Sequence, residues 1–519
     1  MAEFITAREA ARKIPDGATI GLAGMGLSGW AEEIGCAIRD EFKETGHPCD
    51  LNLKQGSAMG DWRERGATRL GEAGPGLITK WSGAHVGSAF SLRELAVNNQ
   101  LECHCLPQGV IVNLWREIAA GRPGLLTKVG LGTFVDPRVE GGKMNECTKT
   151  ELVELVEFQG EEYLFYKGFK LDVAILRGTI ADENGNISFA HESIINEGLA
   201  VATAAKNSGG IVIVQVEYLT KAGTLNPKEV KIPGILVDYV VVATDKAACW
   251  QAEGVYFEPA FSGQIKKPLA AIEPLPFDER KVICRRCAME VSKGDVLNLG
   301  VGMPADVSKI IAEEGLLEEI TMSTESGMVG GIPSALPNFG SAYNPEATIE
   351  HGSMFDIIDG GGLDMTCLGI GEIDQYGNNN VSKFGPRLTG PGGFINITQK
   401  TPKVIFCGTL VGKAKVQVGD GKIEILEEGK IRKFVKEVEQ ITFSGKYAGK
   451  NQEVLYVTER AVFKLIDGKF TLIEIAPGLD LEKDVLNQMD FRPEIAPDLK
   501  VMDEGIFCEE WGGLKNYMK

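Results

Sequence analysis

The chain has no long apolar run and no organised set of histidines or cysteines. No stretch of its 519 residues approaches the eighteen or so apolar residues of a membrane helix, and charged residues occupy the place of a signal peptide's apolar core. The five histidines show no metal-ligand spacing, and the 11 cysteines are an odd, scattered number. We therefore expect a cytoplasmic protein with no membrane segment, no disulfide framework and no metal site.

Charge and composition describe an acidic globular protein. The formal net charge is -18, 44% of the residues are hydrophobic and 24% are charged. An acidic protein repels phosphate backbones, so no nucleic-acid partner is expected, and an anionic cofactor would need a local basic patch or backbone amides. One core rarely serves so long a chain, and two or more domains are expected.

A proline-rich segment divides the chain. Residues 266–280 hold three prolines and show no helix or strand period, which is typical of a linker. We predict an N-terminal domain over 1–265, a linker over 266–280 and a C-terminal domain over 281–519.

The two halves repeat one another. A helical stretch, a strand and a glycine-rich loop precede Met25 and again Met303, at an offset of 278 residues. The turn at 182–186 returns at 374–378, an offset of 192, each time after an apolar strand. The two offsets predict about 86 additional residues between the repeats in the first half. Chance similarity among glycine-rich turns is the alternative explanation.

The hydrophobic pattern indicates the fold class. Strands rich in valine and isoleucine, without clean alternation of apolar and polar residues, alternate with helical patterns. That arrangement is typical of parallel sheets covered on both faces. We predict two similar open α/β domains with mainly parallel sheets and an active site between them.

One carboxylate, Glu325, stands out. A short strand pattern ends just before it, and a glycine-rich turn, 327–331, follows it. Open α/β sheets bind ligands at the carboxyl ends of their strands, and glycines leave room for a bulky ligand. A helix cap or an ion pair is the alternative role for this carboxylate.

A second glycine bend, Gly390-Pro-Gly-Gly-Phe394, follows about sixty residues later. Its backbone N–H groups are candidates to stabilise a developing oxyanion, chiefly those of Gly392 and Gly393. One nucleophilic carboxylate with amide donors is suited to acyl transfer through a glutamyl intermediate.

Two glycine fingerprints raise the possibility of dinucleotide binding. The run that contains Gly24 and Gly26 matches G-x-G-x-x-G between a strand and a helix, but the following strand lacks a terminal acid. In the second half, Gly300-Val-Gly-Met-Pro-Ala305 matches a looser form, and there the acid after the next strand is Glu325 itself. Packing of strand against helix explains such turns equally well.

Basic residues flank the second bend. They are Lys383, Arg387, Lys400 and Lys403. Beside a glycine turn such a cluster is a candidate seat for phosphates, although ordinary solvated surface explains it as well.

The Glu325-Ser-Gly327 run followed by Gly390-Pro-Gly-Gly-Phe394 resembles the family I coenzyme A transferases, which often carry Glu-Asn-Gly and G-x-G-G-F at these places. Supporting runs, in the same order as in the family, are 128–138, 359–364 and 384–387. The resemblance extends from about Ile5 to Pro497 and is closest to single-chain propionate or acetate CoA-transferases, which fuse an α-like and a β-like half.

The resemblance implies a function. A CoA-transferase of this kind moves coenzyme A from a short-chain acyl-CoA to a free acid such as acetate, propionate or butyrate, through a thioester on the glutamate. Glu325 is then the nucleophile, and 390–394 contact CoA or the oxyanion. The resemblance further implies no tightly bound cofactor, CoA thioester as substrate, and a homo-oligomer, with a tetramer favoured.

The first-half loop departs from the family. Relatives often place an amide side chain opposite the glutamate, whereas this loop offers Ser57 and Ala58. Three other functions stay open: an acyl-CoA hydrolase using the same glutamate, an NAD-dependent oxidoreductase, and a CoA-binding protein without catalysis.

Overall fold

The computed structural model describes residues 2–268, 274–449 and 452–518. Within these ranges no helix is both long and apolar enough to cross a membrane. The predicted linker overlaps the gap at 269–273, and that part of it lies outside the described residues. Its predicted end is displaced, because the next helix already begins at Glu279, where Asp278 caps it through a hydrogen bond to the Lys281 amide.

Among the residues that the structure describes, the first half contains six α-helices and fifteen strands. The helices are α1 (Ala7–Arg12), α2 (Glu32–Thr45), α3 (Thr68–Gly71), α4 (Phe90–Val97), α5 (Gln108–Ala119) and α6 (Gly198–Asn207). The strands are β1 (Glu3–Phe4), β2 (Thr19–Leu22), β3 (Leu51–Gln55), β4 (Ile78–Gly83), β5 (Glu102–Cys105), β6 (Gly124–Thr127), β7 (Val153–Phe158), β8 (Glu161–Lys167), β9 (Val173–Arg177), β10 (Ile180–Asp182), β11 (Ile187–Ser188), β12 (Ile211–Val216), β13 (Tyr218–Thr220), β14 (Val230–Ile232) and β15 (Tyr239–Val242).

An eight-stranded sheet forms the centre of this half, in the order β1-β15-β12-β9-β2-β3-β4-β5. All its pairs are parallel. Strand β9 is buried along its whole length, as expected for a sheet covered by helices on both faces.

In the described ranges 274–449 and 452–518, the second half contains four α-helices and twenty strands. The helices are α7 (Glu279–Ala288), α8 (Val307–Glu313), α9 (His351–Gly360) and α10 (Phe394–Lys400). The strands are β16 (Val296–Leu299), β17 (Thr321–Ser323), β18 (Met328–Val329), β19 (Ile332–Pro333), β20 (Ala342–Tyr343), β21 (Ala347–Thr348), β22 (Met365–Gly369), β23 (Glu372–Ile373), β24 (Asn379–Asn380), β25 (Lys383–Phe384), β26 (Arg387–Leu388), β27 (Lys403–Cys407), β28 (Val411–Gly412), β29 (Lys415–Gly419), β30 (Lys422–Glu427), β31 (Ile431–Arg432), β32 (Glu453–Val457), β33 (Ala461–Ile466), β34 (Lys469–Ile475) and β35 (Glu494–Val501).

The large sheet of this half has ten strands, in the order β21-β18-β17-β16-β22-β27-β32-β33-β34-β35. Its centre, from β17 to β32, is parallel. Antiparallel pairs extend both edges, through β18 and β21 on one side and β33 and β34 on the other, where β35 adds a final parallel pair. The predicted fold class, two open α/β domains with mainly parallel sheets, is therefore confirmed, with mixed edges in the second half.

The two sheets share a core topology. The order β15-β12-β9-β2-β3 in the first corresponds to β32-β27-β22-β16-β17 in the second. The register agrees too, because Gly21 lies between Lys54 and Ala174 as Asn298 lies between Ser323 and Thr366. Between β3 and β9, the strands equivalent to β17 and β22, the first half carries β4, α4, β5, α5 and the β6–β8 sheet. These elements account for the predicted additional residues.

The C-terminal tail packs on α7. The Arg285 guanidinium donates hydrogen bonds to the carbonyls of Ile506, Cys508 and Glu509 at 2.6 to 3.0 Å. The same helix presents Cys284 and Cys287, both buried in the apolar core of the second half. They form a Cys-x-x-Cys pair, but the sequence has no second such pair of the kind that zinc sites use. The two cysteines act here as core side chains.

Candidate active site

Glu325 lies directly beyond the carboxyl end of β17 and is 6% exposed. Gly327 has φ +113°, and a Cβ added there would stand 2.1 Å from the Ile349 carbonyl oxygen, so only glycine fits this turn. The turn is closed by hydrogen bonds from the Gly327 amide to the Thr324 carbonyl (3.1 Å) and from the Thr324 amide to the Met328 carbonyl (3.0 Å). Glu325 is thus held rigidly at a strand end.

The carboxyl group of Glu325 faces the second glycine bend. A Cβ added at Gly393 would lie 3.6 Å from Glu325 Cγ, so the missing side chain leaves space beside the carboxylate. Burial raises the pKa of Glu325, and hydrogen bonds from its own backbone amide and from Asn298 offset this only in part. A higher pKa makes the carboxylate a stronger nucleophile once it is ionised.

A chain of three buried side chains joins the halves beside Glu325. His351 Nδ1 lies 2.9 Å from Glu197 Oε2, and His351 Nε2 lies 3.0 Å from Gln108 Nε2. Because a carboxylate oxygen only accepts, the Nδ1–H of His351 donates to Glu197, and Nε2 accepts from the Gln108 amide. Gln108 and His351 are the first residues of α5 and α9, so the starts of two helices meet across the halves.

The same chain reaches the glycine bend through the backbone. The Gln108 N–H donates to the Gly392 carbonyl at 3.0 Å, and a Cβ added at Gly392 would stand 3.8 Å from Gln108 Oε1. The N–H groups of Gly390 and Gly392 already donate to the Ser382 and Ala84 carbonyls, each at 3.0 Å. These two amides are therefore engaged, whereas Gly393 N–H makes no hydrogen bond to any described residue.

Several buried polar atoms around the site lack partners within the described ranges. Eleven such side-chain atoms occur in total. Six lie around Glu325 or at the ends of β3 and β4. Gln55 Oε1 belongs to the last residue of β3 and Asn298 Oδ1 to β16, whereas the other four lie on loops: Ser57 Oγ, His85 Nδ1, Ser88 Oγ and Thr389 Oγ1. Buried polar groups are normally paired, so this concentration indicates a place where a polar ligand completes the hydrogen bonds.

The comparisons agree with this geometry. The profile of the family described as "Coenzyme A transferase" matches residues 4–243. The chain is 68% identical to caffeate CoA-transferase of Acetobacterium woodii, with 100% of both chains covered. It is 41% identical to acetate CoA-transferase YdiF of Escherichia coli K12, over 97% of this chain and 95% of that one. The chain belongs to the family I coenzyme A transferases.

The fold of the transferase matches solved structures as well. The apoenzyme of acyl-CoA transferase YdiF from Escherichia coli O157:H7 superposes with a TM-score of 0.92 at 40% identity, covering 99% of this chain and 97% of that one. A thioester complex of that protein with CoA superposes with a TM-score of 0.91. The resemblance read from the motifs is therefore confirmed, and the chain is a CoA-transferase.

The first glycine fingerprint does not form a free phosphate cradle in the transferase. The Gly26 amide donates to the Ala58 carbonyl at 2.6 Å, and the Gly24 amide faces Glu197 Oε1 at 3.4 Å. A pyrophosphate needs such amides unoccupied, and a carboxylate beside them repels it. Ser57, on the facing loop, is 1% exposed and is among the unpartnered residues.

The four predicted phosphate contacts are divided between two places. Lys383 and Arg387 lie on the β25–β26 hairpin, whose next residues enter the glycine bend. Burial, with a contribution from nearby Arg387, lowers the pKa of His85 to about 4, and the His85 ring packs edge-on against Trp62 at 5.0 Å. This hairpin therefore lies near His85, on the loop that follows β4.

Lys400 and Lys403 lie elsewhere, so the expectation of one basic cluster is not met. Lys403 begins β27, at the end of the sheet opposite Glu325, and its Nζ donates to the Glu290 carbonyl at 2.8 Å. Lys400 ends α10 and lines a separate cavity of about 330 Å³ with Lys128. The error arose because sequence proximity was taken for proximity in space across a helix.

Two further features lie away from the site. A cavity of about 1190 Å³ is lined by residues such as Arg138 and Tyr447 and includes none of the predicted site residues. Within the described ranges, the one group of three potential metal ligands close together is the exposed set Asp16, His47 and Cys49.

Sequence reasoning missed Gln108, Glu197, His351 and Asn298. A signal was available for Asn298, which is the third residue of β16, as Gly21 is of β2, and lies beside the strand that leads to Glu325. No local motif marked the other three, because each depends on a contact between segments more than 150 residues apart.

Proposed function

We propose that Glu325 is the nucleophile of a ping-pong CoA transfer and carries coenzyme A as a thioester on its side-chain carboxyl carbon. The supporting observation is one buried carboxylate at the junction of the halves, with Gly393 leaving space beside it. The comparison that supports the intermediate is the thioester complex of YdiF with CoA.

The chemistry conserves the thioester energy. A Glu325 oxygen bonds to the acyl carbonyl carbon and the C–S bond breaks, which gives a mixed anhydride and CoA thiolate. The thiolate then attacks the Glu325 carbonyl carbon, and the first acid departs as its carboxylate. A second carboxylate reverses both steps and leaves as its CoA ester, so no ATP is consumed.

Each tetrahedral oxyanion in this sequence needs fixed donors. The free N–H of Gly393 and the second amide proton of Gln108 are our candidates, since the Gly390 and Gly392 amides are engaged. Removing one such donor typically costs about 3–4 kcal/mol of transition-state stabilisation. Gln108, which starts α5, then serves as the first-half amide that the loop at Ser57 lacks.

Coenzyme A is proposed to enter past the β25–β26 hairpin. Lys383 and Arg387 supply positive charge there for its phosphates, and Trp62, 43% exposed, offers an aromatic face for the adenine. Remote contacts of this kind contribute binding energy to the reacting centre, so truncated thioesters lose turnover as well as affinity. We expect a cytoplasmic homo-tetramer.

For the acid we propose an aromatic propenoic acid such as caffeate, because the 68% identical relative bears that name. An apolar wall beside the site supports this choice. It consists of Met25, Ile194, Met328 and Ala342, all buried, with Phe339 packed against them. Methionine side chains adapt to a planar ring and make favourable contacts with it. Short-chain acids such as acetate, propionate and butyrate are the second candidate, supported by the name of the 41% identical relative.

Mass spectrometry tests the mechanism. Acetyl-CoA is mixed with the enzyme without an acceptor, and the intact mass and the peptide containing Glu325 are measured. A CoA adduct on that peptide, discharged by added caffeate or propionate, is the expected result. Free CoA that accumulates with no lasting adduct would favour hydrolysis, and an adduct on a different peptide would overturn the assignment of Glu325.

A further inference from the structure

Glu253 lies against the first-half glycine loop. A Cβ added at Gly26 would come within 2.2 Å of Glu253 Oε1 and 2.8 Å of its Cδ, so the carboxyl group occupies the space that a side chain at Gly26 would take. Gly26 also has φ +60°, which other residues rarely adopt. The loop thus leaves room for this carboxyl group.

Glu253 is half-buried, and its carboxyl group is unusual in having no partner among the described residues. Burial raises its pKa to about 8, with nearby Asp61 adding to the rise, and only its own amide opposes the shift. Across the described ranges it has no ion pair and no hydrogen bond to another residue. Glu258, five residues on, shows the contrast, because its carboxylate pairs with Lys267 and accepts from the Ala260 amide at 3.1 Å.

The apolar wall connects Glu253 to the site. Met25, the neighbour of Gly26, places its Sδ 4.0 Å from Gln108 Nε2 and packs with Met328, three residues after Glu325. Glu253 therefore lies against the loop that presents Met25, and Met25 is the residue of the wall that contacts Gln108.

We propose that Glu253 recognises the phenolic hydroxyl groups of an aromatic acid whose ring lies along the wall of Met25, Ile194, Met328 and Ala342. The inference rests on the proposed function and refines it. A phenol both donates and accepts a hydrogen bond, and a neutral carboxyl group does the same, so the two satisfy each other without burying a charge. An acid with no hydroxyl leaves Glu253 unpartnered, which a site built for hydrogen bonding penalises.

The test compares two acceptor acids that differ only in their hydroxyl groups, caffeate and cinnamate. With acetyl-CoA as donor, kcat/KM is measured for both acids in the wild type and in Glu253→Leu and Glu253→Gln. We expect the ratio of kcat/KM for caffeate to that for cinnamate to fall at least about tenfold in Glu253→Leu and less in Glu253→Gln, whose amide still forms hydrogen bonds. Glu258→Gln is the matched control, and its ratio is expected to equal that of the wild type.

The outcomes distinguish a failure of the role of Glu253 from a failure of the proposed function. If the wild type uses caffeate and the ratio is unchanged in Glu253→Leu, the role of Glu253 is overturned and the proposed function stands. A wild type that transfers CoA to acetate or propionate but to neither aromatic acid overturns the proposed acid and this inference with it. If Glu253→Leu fails to fold, as thermal unfolding shows, Glu253→Ala is measured in its place, and an unchanged ratio there contradicts the proposal.

Discussion

The equivalent strand ends of the two halves carry opposite residues. The shared register places Gly56 two residues beyond Lys54 and Glu325 two residues beyond Ser323, so glycine and glutamate occupy the same position. In the first half a carboxylate from the segment before α6, Glu197, fills the space at Gly56, with Oε1 2.5 Å from an added Cβ. In the second half the two residue types are exchanged: the carboxylate, Glu325, follows β17, and the glycine, Gly393, precedes α10.

The exchange of glycine and carboxylate separates two roles. Glu325 has space beside it and faces the place where substrates react, whereas Glu197 is enclosed and holds His351 by a 2.9 Å hydrogen bond. One half thus supplies the proposed nucleophile and the other the group that positions its neighbours. A duplicated fold needs only such a local exchange to give its halves different chemistry.

Glu325→Gln removes the proposed nucleophile and is expected to have the largest effect. The amide is a far poorer nucleophile, so we expect CoA transfer to fall by about 10⁴-fold or more and the CoA adduct to disappear. Transfer is measured with saturating acetyl-CoA and acid. Activity within tenfold of the wild type would contradict the assigned role.

Alanine at Gly393 and at Gly56, the glycine of each exchanged pair, sharpens the comparison. Gly393→Ala places a methyl group 3.6 Å from Glu325 Cγ, in space proposed for the acyl group, and we expect activity to fall about a hundredfold with a small change in Tm. Gly56→Ala places one 2.5 Å from Glu197 Oε1 and 2.9 Å from Val112 Cγ2, and we expect a loss of about 1–3 kcal/mol in unfolding free energy. A loss of stability in Gly393→Ala with a loss of activity alone in Gly56→Ala would show that the halves do not divide catalysis and positioning in this way.

Glu197→Gln tests positioning. It weakens the hold on the His351 Nδ1–H, so Gln108 loses its fixed orientation. We expect kcat to fall about tenfold to a hundredfold while KM for acyl-CoA changes little and the CoA adduct still forms. A role in structure alone would instead lower Tm and leave kcat per folded enzyme unchanged.

The stability of Glu325→Gln is the smallest expected effect. Because burial raises the pKa of Glu325 above its ordinary value of 4.5, its ionisation opposes folding. Below pH 4.5 the carboxyl is protonated in both states and imposes no such cost. As the pH rises, the cost grows until the raised pKa is passed and is then constant. We expect the Tm of the variant to exceed that of the wild type by on the order of one or two degrees at pH 8, and the difference to vanish near pH 4.

The sequence predicted the parts of this molecule that local pattern determines. Valine-rich runs such as β9 and β12 identified a parallel sheet, repeated turns identified the duplication, and the strand and glycine turn around Glu325 identified the strand end. Gln108 and His351 could not be found in this way, because their roles arise where the starts of two helices meet across the halves. Lys403 was misassigned for the same reason, since a helix carries it away from the bend that precedes it in the chain.

The unpartnered polar atoms around Glu325 also bear on stability. Each lacks a hydrogen-bond partner among the described residues, and a bound ligand that pairs with it adds a hydrogen bond. The substrate then acts as the last structural element of the fold, and its departure returns the enzyme to a less stable form. The free energy of unfolding of such an enzyme rises with the concentration of coenzyme A esters, and with it the resistance to heat and proteases. The supply of these esters therefore helps to set the lifetime of the enzyme.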